Sequence, residues 1–190
     1  MVKLTSFDVS RLWWRMTMTH NAKVVDKSSS SLMSNVAGFL GAIGIVRQRD
    51  FMEKFSTTIG TTIYLPFTPG VESEQHDLVG QACTCVHELH HVAQFRRAPI
   101  GFTRDYLFNS SKRAAFEADA YAHNMELRHW ITGARPDPAN IAERLKAYAC
   151  KPADIAFAQK YLETIVPVIM QGGLSRGLVK EAVAILSSGG

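Results

Sequence analysis

Residues 87–91 read HELHH, placing His87, Glu88, His90 and His91 within five positions. If this stretch is helical, His87 and His91 project from one stripe about one turn apart, and their imidazoles can share a metal ion. Two histidines are half of a tetrahedral site. Zn2+ suits such donors, and Glu88 stands where a carboxylate can take a proton from water that the metal holds and acidifies, the role of a general base. A five-residue pattern of this kind arises by chance in on the order of one chain in a hundred, so its context has to support it.

A hydrolytic zinc needs a third protein ligand and an open position. Glu117, in FEADAYA, ranks first, because two helices joined by a loop can bring facing stripes together around one ion. Asp119 lies about 200° further around that helix and cannot share the stripe. Asp119 and Asp105 therefore rank behind Glu117, with His123 last. Tyr121, Asn124 and Arg113 share the Glu117 stripe, and Tyr106 falls in the connection before it, so these four are the candidates for stabilising an oxyanion. His90 sits about 100° from His91, which favours solvent or a structural hydrogen bond over the same ion. Cys83, one turn before His87, can approach the metal but reads better as a small buried residue, and Cys85 points elsewhere. His20, His76 and His129 have no spacing partner.

These residues need elements to hold them. Residues 57–67, TTIGTTIYLPF, form the best strand, with Pro66 marking a sheet edge or the strand's end. A turn follows, with Ser73 as N-cap, then a helix over about 74–97 that stops before Pro99 and Gly101. After a loop over 98–110, a second helix starts near 109–111 and ends at Gly133. Pro138 and Pro152 open a third and a fourth, and residues 174–186 make a fifth. Residues 36–55 suit a further helix. Residues 1–35, ending in the serine run 28–31, read as an arm or extension; Met16 and Met18 alternate with threonines, as in a strand or an arm laid on a partner, and Trp13 and Trp14 read as structural contacts. The expectation is one α+β, helix-dominated domain over 36–190, with a small sheet, an active-site helix and a second ligand-bearing helix.

With 190 residues, 46% hydrophobic and 20% charged, the chain can bury a core without disulfides. The formal charge of +4 is spread along the chain rather than gathered in a basic run, which argues against a nucleic-acid partner. Three cysteines, an odd number, fit a reducing compartment, and the first residues lack the apolar core of a secretory signal, so a cytoplasmic location is expected. The longest apolar stretch, residues 36–46, is far short of the roughly 20 residues that span a bilayer.

HELHHVAQ resembles the HELxHVxQ signature of short bacterial zinc-metallopeptidase-like domains found in toxins and phage-like injection systems, and FEADAYA resembles the EAD helix that follows in them. More distantly it is similar to the glutamate-zincin class, including peptidases that cleave phage-type repressors. The resemblance covers residues 61–130, about a third of the chain. It implies a zincin-like fold with His87, His91 and Glu117 as zinc ligands and Glu88 as base. Two positions depart from it: Ala115 stands where many relatives carry another acid, and Tyr121 where the thermolysin-like branch has an aspartate. The expected function is a zinc-dependent peptidase acting on a peptide or protein, in one variant a regulatory enzyme with a single protein partner. The alternative is a structural or interaction component of a phage or injection-type assembly, virion-associated, that keeps the fold with a vestigial or structural metal.

Overall fold

A computed structural model describes residues 1–42, 52, 53 and 55–188. Helix α1 (Ser6–Thr19) opens on a reciprocal cap: the Thr5 hydroxyl accepts from Asp8 N, and the Asp8 carboxylate accepts from Thr5 N. Val9, Leu12, Trp13 and Met16 then recur at helical spacing and are buried, while Trp14 and Met18 face outward. The segment expected as an arm is thus a core element. The 3.6-residue period of its apolar positions prevails over the local alternation of methionine and threonine.

Strand β1 (Lys23–Asp26) follows α1, and helix α2 (Ser31–Ala42) starts inside the serine run. The remainder of the helix expected over 36–55 lies outside the described residues, apart from 52, 53 and 55. The stretch 57–67 is a hairpin, β2 (Thr57–Ile59) and β3 (Thr62–Leu65), rather than one strand. Ile59 pairs with Thr62, leaving Gly60 and Thr61 as a two-residue turn, and Gly60 takes φ +65°, where a side chain would be strained. β1 joins β3 in parallel, so the order is β1-β3-β2. Pro66 ends β3 but does not make it an edge: β3 is central, and β2 is the edge strand that lies against the next helix.

That helix, α3 (Leu78–Arg97), is capped by Asp77 rather than Ser73. Ser73 is occupied in a backbone bridge with His76, and the buried Gln81 amide fastens the loop by accepting from Gly70 N and donating to Val71 O and His76 O. The connection expected as a loop is a helix, α4 (Pro99–Phe108), which begins with proline in its first turn, where no amide hydrogen is needed. Asn109 caps α5 (Ser110–Thr132), and Gly133 ends it with φ +71°. Asp137 caps α6 (Pro138–Glu143), a 3-10 turn follows (Arg144–Tyr148), and the chain finishes with α7 (Pro152–Met170) and α8 (Gly177–Ser187).

Helix α5 separates two apolar clusters. Leu127 and Ile131 join α1, β3, α3 and α8 on one side; Ala114, Ala118, Ala122 and Met125 join α6 and α7 on the other. Helices α3 and α5 are antiparallel, since Cys83 meets Asn124, His87 meets Tyr121 and Gln94 meets Phe116. The protein is α+β and helix-dominated, with a small mixed sheet. Among the described residues no helix is long and apolar enough to cross a membrane.

Candidate metal centre

The α3–α5 contact brings together the three residues that the sequence singles out. His87 Nε2 and His91 Nε2 are 3.1 Å apart, and Glu117 places Oε2 3.3 Å from the first and Oε1 3.4 Å from the second. Nitrogen and oxygen donors each about 2.0–2.2 Å from one tetrahedral ion stand roughly 3.3–3.5 Å from one another. The three groups therefore fit a zinc-sized ion. Their burial sharpens the point: Glu117 is 1% exposed, yet its Oε2 makes no hydrogen bond. A buried carboxylate oxygen left this way is costly, and a cation between the three groups would satisfy it.

Gln94, one turn along α3, orients His91. Its Oε1 lies 2.8 Å from His91 Nδ1, and its Nε2 donates to Phe116 O on α5. Because the second bond uses the amide's donor, the first must use its acceptor. His91 Nδ1 then carries the hydrogen and Nε2 turns a lone pair toward Glu117, the arrangement a metal-binding histidine needs. Without an ion, a proton takes that place. Burial disfavours the His91 imidazolium, but the Glu117 carboxylate outweighs it and raises the pKa to about 9. Burial likewise opposes ionisation of Glu117, and the His91 and His87 rings more than offset it, holding that carboxyl well below its usual range.

Glu88, the expected base, is buried, and its Oε2 accepts from Thr58 Oγ1 on the edge strand at 2.7 Å. Its charge acts on His91 and Tyr106 alike, so the carboxylate belongs to the same electrostatic neighbourhood. Lys27, at the end of β1, lies within the same field. Its ammonium donates to Phe55 O and Thr57 Oγ1, and burial pushes its pKa down to about 7 against the pull of Glu88.

Of the four candidate oxyanion donors, Tyr106 comes nearest to the ligands. Its hydroxyl donates to Glu117 Oε1 at 2.5 Å, and burial, reinforced by Glu117, raises its pKa far above the ordinary value. Arg113 is committed elsewhere, donating to the carbonyls of Tyr106, Leu107, Tyr148 and Ala149, and so pins the end of α4 beside the centre. Tyr121 packs its ring edge-on against His87, and the Asn124 carbonyl accepts from Cys83 Sγ. Tyr106 ranked no higher than the others in the sequence because its segment read as a loop; Pro99 at the start of a decapeptide was the available signal for a helix.

The lower-ranked ligands lie elsewhere. Asp105 pairs with Arg104, and Cys83 and Cys85 belong to the apolar core. His20 meets Glu181, His76 stacks near Phe67, and His129 donates to Ala134 O. His90 is buried rather than solvent-facing and takes the other course expected of it, a structural hydrogen bond, made to Asp119 with Nε2 2.7 Å from Oδ2. His123 stacks against His90, so these three make a second polar cluster, apart from the one that His87 and His91 form with Glu117. Compared with known proteins, the chain matches no family model, no curated protein and no solved structure.

Proposed function

We propose that the chain is a zinc-dependent hydrolase of zincin-like architecture, acting on peptide bonds. The observation that carries this reading is the convergence of His87 Nε2, His91 Nε2 and the Glu117 carboxylate at 3.1–3.4 Å from one another, with Glu88 next in sequence to the first of them. When bound, the ion would polarise the scissile carbonyl and make water a competent nucleophile near neutral pH. Glu88 takes the water's proton and returns it to the leaving amine; the Thr58 hydroxyl holds its carboxylate in place meanwhile. Tyr106, on turning its hydroxyl from Glu117 to the substrate, donates to the oxyanion. A peptide is favoured over other substrates because β2 pairs only with β3 among the described residues, leaving an edge on which an extended chain can add as a further strand.

A second reading has one observation in its favour. His87, His91, Glu88 and Glu117 are all buried, as in a closed structural metal site, and such a site suits a component of an assembly with no hydrolytic role.

Zinc content and cleavage of a peptide library, followed by mass spectrometry, separate the two. Under the peptidase reading His87→Ala and Glu117→Ala each lose one equivalent of zinc, whereas Glu88→Gln keeps its zinc and cleaves nothing. Cleavage by Glu88→Gln at the parent's rate removes Glu88 as base; a parent that binds zinc but cleaves nothing favours the structural reading.

A further inference from the structure

We propose that His90, Asp119 and His123 form a second metal site, for a divalent transition ion of the zinc type, with ligands separate from those of the first. The three residues offer ligand atoms that all lie within 4.8 Å of one another. Asp119 and His123 are four apart on α5 and project from one stripe, as His87 and His91 do on α3. The arrangement is therefore reciprocal: the first centre takes two ligands from α3 and one from α5, the second takes one from α3 and two from α5.

The hydrogen bonds set the lone pairs for this. His123 Nδ1 lies 2.9 Å from Asp119 O, a carbonyl that can only accept, so the ring's hydrogen is on Nδ1 and Nε2 is the nitrogen with a free pair. The His90 and His123 rings face each other with centroids 4.2 Å apart. The Asp119 carboxylate meets His90 Nε2 through Oδ2 at 2.7 Å and the Tyr161 hydroxyl through Oδ1 at 3.1 Å. A cation takes the place of the hydrogen between His90 and Asp119, which moves to His90 Nδ1, and Tyr161 orients the carboxylate from outside, as partners of metal ligands do. Arg176, whose charge reaches His123, is bound by Glu126 at 3.2 Å, which offsets it. The His90 side chain is only 8% exposed but that of Asp119 is 40%, so an ion has a way in. Bound there, it ties α3 to α5 and, through Tyr161, α5 to α7, bracing the helix that presents Glu117.

Zinc itself is the probe, counted by elemental analysis after removal of excess metal, with cobalt absorption following each site during titration. The parent should hold two equivalents. His90→Ala and His123→Ala should each lose one, His87→Ala should lose the other, and the pair His87→Ala with His123→Ala should hold none. Asp119→Asn, which keeps the side chain's shape, guards against loss through misfolding and should weaken the second equivalent alone. Tyr161→Phe should weaken it roughly tenfold. A parent with a single equivalent that His123→Ala retains and His87→Ala loses overturns the proposal and leaves the first site standing; a single equivalent lost only by His123→Ala does the reverse. No zinc at all overturns both.

Discussion

The Gln94 side chain touches both helices of the centre at once, accepting from His91 Nδ1 at 2.8 Å and donating to Phe116 O at 3.2 Å. It fixes which nitrogen of His91 faces Glu117, and it ties that choice to the packing of α3 on α5. Replacing it with leucine leaves the ring without an acceptor and takes the side-chain donor from Phe116 O. Gln94→Leu should lower zinc affinity at the first centre by about 10–100-fold while the helical content holds, as read by competition with a chromophoric chelator. An unchanged affinity would mean that Gln94 serves packing only.

Tyr106 is held twice, by its own bond to Glu117 and by the grip of Arg113 on its carbonyl at 2.6 Å. Removing the hydroxyl alone tests its part in catalysis. If it donates to the oxyanion, Tyr106→Phe should reduce kcat by about 10²–10³ with little change in KM and with zinc retained, the loss typical of one such donor. Equal activity in the two proteins would assign the hydroxyl to support of Glu117.

The pairing of His91 with Glu117 gives the metal-free protein a particular pH dependence. The folded pKa of His91, about 9, exceeds the unfolded 6.5, and that of Glu117 lies below its usual 4.5, so the pair contributes stability that is complete between 4.5 and 6.5 and fades as pH rises through about 9. Lys27 acts the other way, since a pKa lowered to about 7 makes the fold gain stability as pH rises above that value. A comparison of the metal-free parent with His91→Gln isolates the first effect: the difference in Tm should shrink between pH 6.5 and 9. Zinc must also displace the His91 proton, so calorimetry in buffers of unlike ionisation enthalpy should detect proton release below pH 9, and affinity should rise about tenfold per pH unit up to that point.

The sequence made the grouping of His87, His91 and Glu117 more legible than the frame around it, for physical reasons. A histidine pair at i and i+4 is a local signal, readable without knowing the fold, and Glu117 ranked first because two helices joined by a short connection can bring facing stripes together. What escaped depended on contacts distant in sequence. The break at Gly60 is a local signal that lies hidden in a run of β-branched residues reading as one strand. Asp77 won the cap from Ser73 because Gln81 and the Ser73–His76 bridge hold the preceding loop away from helical geometry. His90 looked idle because its partners, Asp119 and His123, lie on the other helix, although Asp119 and His123, four apart on α5, are themselves a local signal. The zincin-like architecture proposed for the frame rests on the resemblance of HELHHVAQ and FEADAYA alone.

Residues 6–19 offer the sharpest check on that frame. Trp13 is 2% exposed; its ring meets Phe67 edge-on and its Nε1 donates to Gln81 O at 3.1 Å, next to the amide that fastens the 70–76 loop. Truncating it empties a large volume and strips Gln81 O of a buried partner, so Trp13→Ala should cost about 3–5 kcal/mol in denaturant unfolding. Trp14, its neighbour in sequence but 64% exposed, is the matched control, and Trp14→Ala should change stability by no more than about 0.5 kcal/mol. An arm laid on a partner would give small and similar values for both. A core helix gives the large difference, and because α1 packs directly on α3, the Trp13 variant should also bind zinc more weakly at His87 and His91.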